Sequence, residues 1–218
     1  MKAIINNKEI EIDNNIRYID LVDKYQKYYE YNIVAVKENN VFVDIYSKVK
    51  ENANIIFFDY SDKEANKIYI NGLIFMTIYS IVELYGKDTF VNVKHSIDKG
   101  LFLKVNKNID ILKIKEKMLE IVDKKLPITR HSVNRLEAIK YFERNALKEK
   151  VELLKYSTNT YITLYKLADM YDFYFSQLPY NTSLLDKFDL SKEGNNGFVL
   201  TFPTSFLPKI VPLYKPRK

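Results

Sequence analysis

Lys2-Ala3-Ile4-Ile5-Asn6-Asn7-Lys8-Glu9-Ile10-Glu11-Ile12 is the stretch whose reading decides the fold. Two short β-type runs, Lys2 to Asn6 and Lys8 to Ile12, flank Asn6-Asn7, a dipeptide that tolerates the positive φ of a tight turn. The chain therefore opens on a hairpin. Next, Tyr18, Leu21, Val22, Tyr25 and Tyr28 recur at spacings of three and four, which gives one apolar face to a helix from about Ile19 to Tyr29. Asn32 to Lys37 and Val41 to Ile45 flank the turn Glu38-Asn39-Asn40, and Asn54 to Phe58 reads as a further strand. The order ββαβββ, with one helix crossing a compact sheet, is a β-grasp (ubiquitin-like) arrangement.

Asp59-Tyr60-Ser61-Asp62-Lys63-Glu64 is the first clearly polar run, so a boundary is expected there, with residues 1–62 as one domain and 63–218 as a second. In the second, Ile68, Leu73, Phe75, Ile78, Ile81, Val82 and Tyr85 mark a long apolar helix ending near Gly86, a left-handed C-cap candidate. Ile111, Ile114, Met118, Ile121 and Val122 mark another helix, and Val133 to Arg144 a third, with Ser132 as its expected N-cap. Strands are expected at Phe90 to Lys94, Leu101 to Val105, Thr160 to Leu164, Leu184 to Leu190 and Gly197 to Phe202. The fold class is α+β.

Among the 218 residues there is no Cys, which excludes disulfides, thiolate ligands and a Cys nucleophile, and there are only two His. The first residues turn polar too early for a secretory signal, and no apolar run is expected to approach the ~18 residues of a membrane span. A cytoplasmic protein without a membrane partner is the expectation. The net charge of +6 raises nucleic acid as a partner, since Lys and Arg that neutralise phosphates release counterions. Acidic residues are nevertheless interspersed throughout, as in Lys113-Ile114-Lys115-Glu116-Lys117, and the abundance of Lys, Asn, Ile, Tyr and Phe, all with A/T-rich codons, accounts for much of the basicity.

Glu9-Ile10-Glu11-Ile12, Tyr18-Ile19-Asp20-Leu21-Val22, Ile33-Val34-Ala35-Val36, Val43-Asp44 and Asn54-Ile55-Ile56-Phe57-Phe58, in that order, resemble the TGS domain of threonyl-tRNA synthetases. Lys63 to Pro203 resembles the second additional domain shared by threonyl- and alanyl-tRNA synthetases. That likeness rests on Glu83-Leu84-Tyr85-Gly86, Ser96-Ile97-Asp98-Lys99-Gly100-Leu101-Phe102, Lys150-Val151-Glu152-Leu153-Leu154, and Asp172-Phe173-Tyr174 with Pro179-Tyr180-Asn181-Thr182. In editing members of the family the first helix carries His-x-x-x-His and the last segment Cys-x-x-x-His. Here the resemblance places Asn71, Phe75, Tyr174 and Leu178 at those positions, and Phe and Leu supply no donor to a zinc-type ion. The resemblance thus implies a degenerate metal-site cleft, no metal, and no catalytic residue.

Asn92 to Leu101, Lys150 to Tyr156 and Gly197 to Pro203 also resemble the N-terminal half of bacterial nucleoside kinases of the uridine kinase type. That likeness implies a non-catalytic accessory region whose partner is a C-terminal P-loop kinase domain of the same polypeptide, using ATP and Mg²⁺. No Gly-x-x-x-x-Gly-Lys-[Ser/Thr] occurs here, so that domain is expected outside this sequence, beyond the linker-like Leu213-Tyr214-Lys215-Pro216-Arg217-Lys218. The rival reading is a tRNA-binding or editing-related module.

The cleft's expected contacts to a small polar ligand or RNA are His95, Lys94, Asp98, Lys99, Arg130 and Lys155. Neighbouring His95 and Ser96 point to opposite faces of a strand, so a triad with Asp98 is not expected. Arg130-His131-Ser132 with Arg135 reads as an anion site at a helix N-terminus or as a solvated cap. Tyr171-Asp172-Phe173-Tyr174-Phe175 reads as a base-stacking cluster or as half-buried strand packing.

Overall fold

The computed structural model describes residues 1–215. Strands β1 (Lys2–Ile5) and β2 (Lys8–Glu11) form the opening hairpin, with Asn6 and Asn7 at φ 51° and 62° as its tight turn requires. Helix α1 (Tyr18–Tyr25) continues as a single 3₁₀ turn, Gln26–Tyr28. Strands β3 (Ile33–Glu38), β4 (Val41–Phe42) and β5 (Ala53–Asp59) complete a sheet ordered β2-β1-β5-β3-β4, with β1 and β5 parallel. Tyr18, Leu21 and Val22 of α1 pack with Ile5, Ile33, Val36 and Ile55 in a core of their own. Strand β4 is shorter than the expected Val41 to Ile45, because the chain leaves the sheet after Phe42.

Helix α2 (Lys63–Tyr85) begins at Asp62, whose carboxylate accepts from the N–H groups of Glu64 and Ala65 at 2.7 and 3.2 Å. It is 23 residues long and, by length and composition alone, apolar enough to cross a membrane, which corrects the expectation that no run approaches that size. Its polar residues do not interrupt it. Thr77 and Ser80 donate back to the carbonyls of Leu73 and Met76 at 2.7 Å, so they sit inside the apolar helix without an unmet bond. The helix is the spine of the larger core, where Leu73, Phe75, Met76 and Ile81 are fully buried.

Around it lie β6 (Val91–Ile97), β7 (Gly100–Val105), α3 (Ile111–Asp123), β8 (Ile128–Asn134), α4 (Arg135–Arg144), α5 (Lys148–Lys155), β9 (Tyr161–Leu167), β10 (Met170–Phe173), β11 (Asp189–Glu193) and β12 (Gly197–Thr201). They make an antiparallel sheet β11-β12-β7-β6 and a second one, β10-β9-β8. The fold is α+β, as expected.

Two local expectations are corrected. Arg130, His131 and Ser132 lie on β8, paired with Tyr165, Leu164 and Thr163 of β9. The helix starts later, and Asn134 caps it by accepting from the N–H of Leu136 at 2.9 Å. Leu184 to Leu190 is mostly not a strand. Residues Thr182–Leu184 form a 3₁₀ turn, and Leu184, Leu185 and Phe188 fill the core from irregular backbone, which frees them from strand alternation. The expected linker at the C-terminus lies partly outside the described residues, at Pro216 to Lys218.

Candidate functional site

Helix α2 and the segment after β10 are held in unusually close contact. A Cβ at Gly72 would stand 2.6 Å from Cδ of Pro179, so only glycine lets that segment lie against the helix. Asn71 donates through its amide to the Ser176 hydroxyl across the same seam. One turn on, the ring of Phe75 lies 5.7 Å from that of Tyr174 at 54°, and Tyr165 meets Tyr174 edge-on at 6.5 Å. Leu178 is in the core beside them. The place where the resemblance locates a metal is filled by aromatic and aliphatic packing beside the Asn71–Ser176 hydrogen bond.

The donors do not fit a divalent ion. Phe75 and Leu178 offer none, Asn71 is engaged with Ser176, and the Tyr174 hydroxyl is buried without a hydrogen-bond partner among the described residues. Burial, reinforced by the nearby Asp172 carboxylate, holds the Tyr174 phenol well above its ordinary pKa, so it stays protonated.

Behind Tyr174 lies a pair that sequence reasoning quoted without assigning it a role. Asp172 is 3% exposed, and its carboxylate meets Lys150 Nζ at 2.8 Å while accepting from the Phe173 N–H at 2.7 Å. Lys150 also donates to the Phe173 carbonyl at 3.1 Å and lies 5.2 Å from the Tyr174 ring centre. The available signal was the combination of a carboxylate inside an aromatic strand and a lysine on an amphipathic helix. Their separation of 22 residues hid the pairing.

This partition borders two cavities. The first, about 950 Å³, is walled by the β3–β4 hairpin (Asn40, Val41, Phe42), the start of α2 (Glu64, Lys67), Arg130, the β9 residues Tyr161 and Thr163, and Phe173 to Gln177. Gln177 donates to the Val43 carbonyl at 3.3 Å and Tyr46 to the Tyr180 carbonyl at 3.1 Å, which ties the first sheet to this wall. The second, about 600 Å³, lies between α2, Val91 and Asn92 of β6, and the α4–α5 connection, with Lys150 and Asp172 in its lining.

The sequence-derived contacts scatter. Arg130 lines the first cavity, and Lys155 is exposed beside it, paired with Glu152 at 2.7 Å. Lys94, His95, Asp98 and Lys99 are exposed on the β6–β7 hairpin and line neither cavity, and the His95 ring rests 5.6 Å from Phe102. The residues of the anion-site alternative, Arg130 to Arg135, are dispersed. His131 bonds Thr129 at 2.8 Å, and Arg135 donates to the Leu154 carbonyl at 3.3 Å. Tyr171 to Phe173 are strand residues, while Phe175 stands 84% exposed at the cavity mouth.

A β-grasp sheet joined to an α+β unit, with a cleft beside the α2 seam, defines an α+β fold of the threonyl-tRNA synthetase editing-like type. The chain is 29% identical over 150 residues to the threonine–tRNA ligase of Sulfurihydrogenibium sp. (strain YO3AOP1), covering 65% of this chain and 23% of that protein. It is 25% identical over 176 residues to that of Clostridium kluyveri (strain ATCC 8527), covering 78% and 28%, and 28% identical over 142 residues to that of Aquifex aeolicus (strain VF5), covering 62% and 22%. The chain thus spans about a quarter of the length of the curated relatives it matches. No protein-family model matches it.

These relatives correct the uridine kinase parentage, and with it the accessory role to a nucleoside kinase. The kinase likeness rested on segments that include scaffold residues. In Lys150 to Tyr156, Val151 and Leu154 are core and Lys150 pairs with Asp172. The threonyl-tRNA synthetase resemblance is the one supported.

Proposed function

We propose that this chain is a module that binds the acceptor end of tRNA without hydrolysing what it carries, descended from a threonyl-tRNA synthetase-like editing region. The observation that carries this reading is a cleft of about 950 Å³ with Tyr174 in its wall, beside a Phe75–Tyr174 contact that stands where the resemblance places metal ligands. Hydrolysis in a metal site depends on an oriented, acidified water, and losing the donors removes that orientation. Binding depends on shape and lining, which the cleft supplies. In the second cavity the Lys150–Asp172 pair offers a cation and a carboxylate to a polar group. A division near residue 62, a cytoplasmic setting and RNA as partner belong to the same proposal. The reading uses no cofactor.

The test is binding of tRNA compared with the same tRNA trimmed of its unpaired 3′ nucleotides. The reading expects the trimmed form to bind at least about tenfold more weakly, because end contacts of ~1–3 kcal/mol per stacked base are lost. Equal affinity contradicts it.

A further inference from the structure

Resting on that reading, we infer that the N-terminal sheet is part of the binding site. Phe42 on its β3–β4 hairpin and Phe175 on the facing segment form an aromatic shelf that stacks unpaired bases of an RNA end, with Arg130 receiving phosphate. The first cavity is walled from both sides, and Phe42 is built into its wall rigidly. Its ring meets Phe58 edge-on at 5.6 Å, and Lys37 Nζ lies 4.6 Å from its centre while bonding Glu64 at 2.8 Å. That ion pair also neutralises Glu64, the carboxylate of the lining, and leaves Arg130 and Lys67 as the cleft's cations.

Across the cleft, Phe175 is 84% exposed, braced edge-on by Phe173 at 5.0 Å, and Tyr161 is 64% exposed. Large aromatic faces left in water around a cleft of ligand size are costly for folding alone and suit flat partners. Aromatic faces with an adjacent guanidinium are the chemistry that holds single-stranded nucleic acid, because every base has a π-face and every link a phosphate. The aromatic faces, the two lining cations and the cleft's size together fit an unpaired stretch of RNA.

The experiment is fluorescence anisotropy of the full 218-residue protein with a labelled single-stranded RNA hexamer and a blunt RNA duplex. The inference expects the single strand to bind and the duplex not to, with Phe42→Ala and Phe175→Ala each weakening binding about tenfold. Phe42→Tyr keeps a stacking face and should bind as wild type, which separates stacking from misfolding. Tyr28→Ala, an exposed ring remote from the cleft, should change nothing. Wild-type affinity in Phe42→Ala and Phe175→Ala, with the single strand still bound, overturns the shelf and leaves the proposed function standing. No RNA binding by the wild-type protein overturns both.

Discussion

The Phe75 ring packs against the Tyr174 ring at 5.7 Å, joining the middle of α2 to the end of β10 at the point where an editing centre would need imidazole and thiolate. An aromatic contact at the edge of the core holds two elements together through apolar burial and dispersion. A metal would join them through donors. The seam is preserved by different physics, and each consequence can be measured.

Phe75 is fully buried, so Phe75→Ala should destabilise the protein by about 3–5 kcal/mol through lost transfer energy and an unfilled cavity. Urea unfolding with an unchanged slope is the measurement. A loss of less than ~1 kcal/mol would mean that the seam is not packed as described.

Purified protein equilibrated with zinc and then dialysed should retain none stoichiometrically, since Phe75 and Leu178 are in the core and donate nothing. Elemental analysis decides it. One tightly held zinc per chain, lost on Tyr174→Phe, would show that the cleft is assigned to the wrong residues.

Lys150→Met strands the buried Asp172 carboxylate and should cost about 1–3 kcal/mol, less than a fully buried pair because the Lys150 side chain is 30% exposed. Adding Asp172→Leu removes the stranded charge, and the double variant should be less unstable than the sum of the two single changes. Strict additivity in a double-mutant cycle would show that the pair is not coupled.

Glu38 anchors the first sheet under acid. Burial alone would raise its pKa, but hydrogen bonds from Tyr18 and Lys50 and the Lys50 charge outweigh it and lower the folded value. A depressed folded pKa contributes stability that is fully present above the ordinary carboxylate range and is lost as pH falls through the folded value. Glu38→Gln should therefore be less stable than wild type near neutrality, with the gap closing as the solution is acidified through and below that range. Urea midpoints across that range test the sign, and a gap that widens on acidification contradicts it.

Local chemistry made much of the fold legible. Asn6-Asn7 and Asn39-Asn40 announce turns, since all four residues take positive φ, and the spacing of Tyr18, Leu21 and Val22 marks a helix face. What failed was non-local. Arg130 to Ser132 look like a helix approach until β9 pairs with them, and a buried run such as Leu184 to Phe188 obeys a core whose shape no local pattern records. Of the cleft, the loss of ligands at Phe75 and Leu178 was readable by resemblance. Lys150 with Asp172, and Phe42 as a wall, become visible only when the chain is folded. His95 illustrates the converse: a residue of catalytic type drew attention although its hairpin stands clear of both cavities.

The central claim, a cleft that binds but does not hydrolyse, is tested most directly by one time course. Seryl-tRNA is incubated with the purified protein at a concentration that saturates tRNA binding, and remaining ester is measured against a protein-free control. The account predicts a complex that forms while the ester decays at the spontaneous rate. Deacylation well above that rate, abolished by Asp172→Asn or Lys150→Met in variants that still bind, would contradict it.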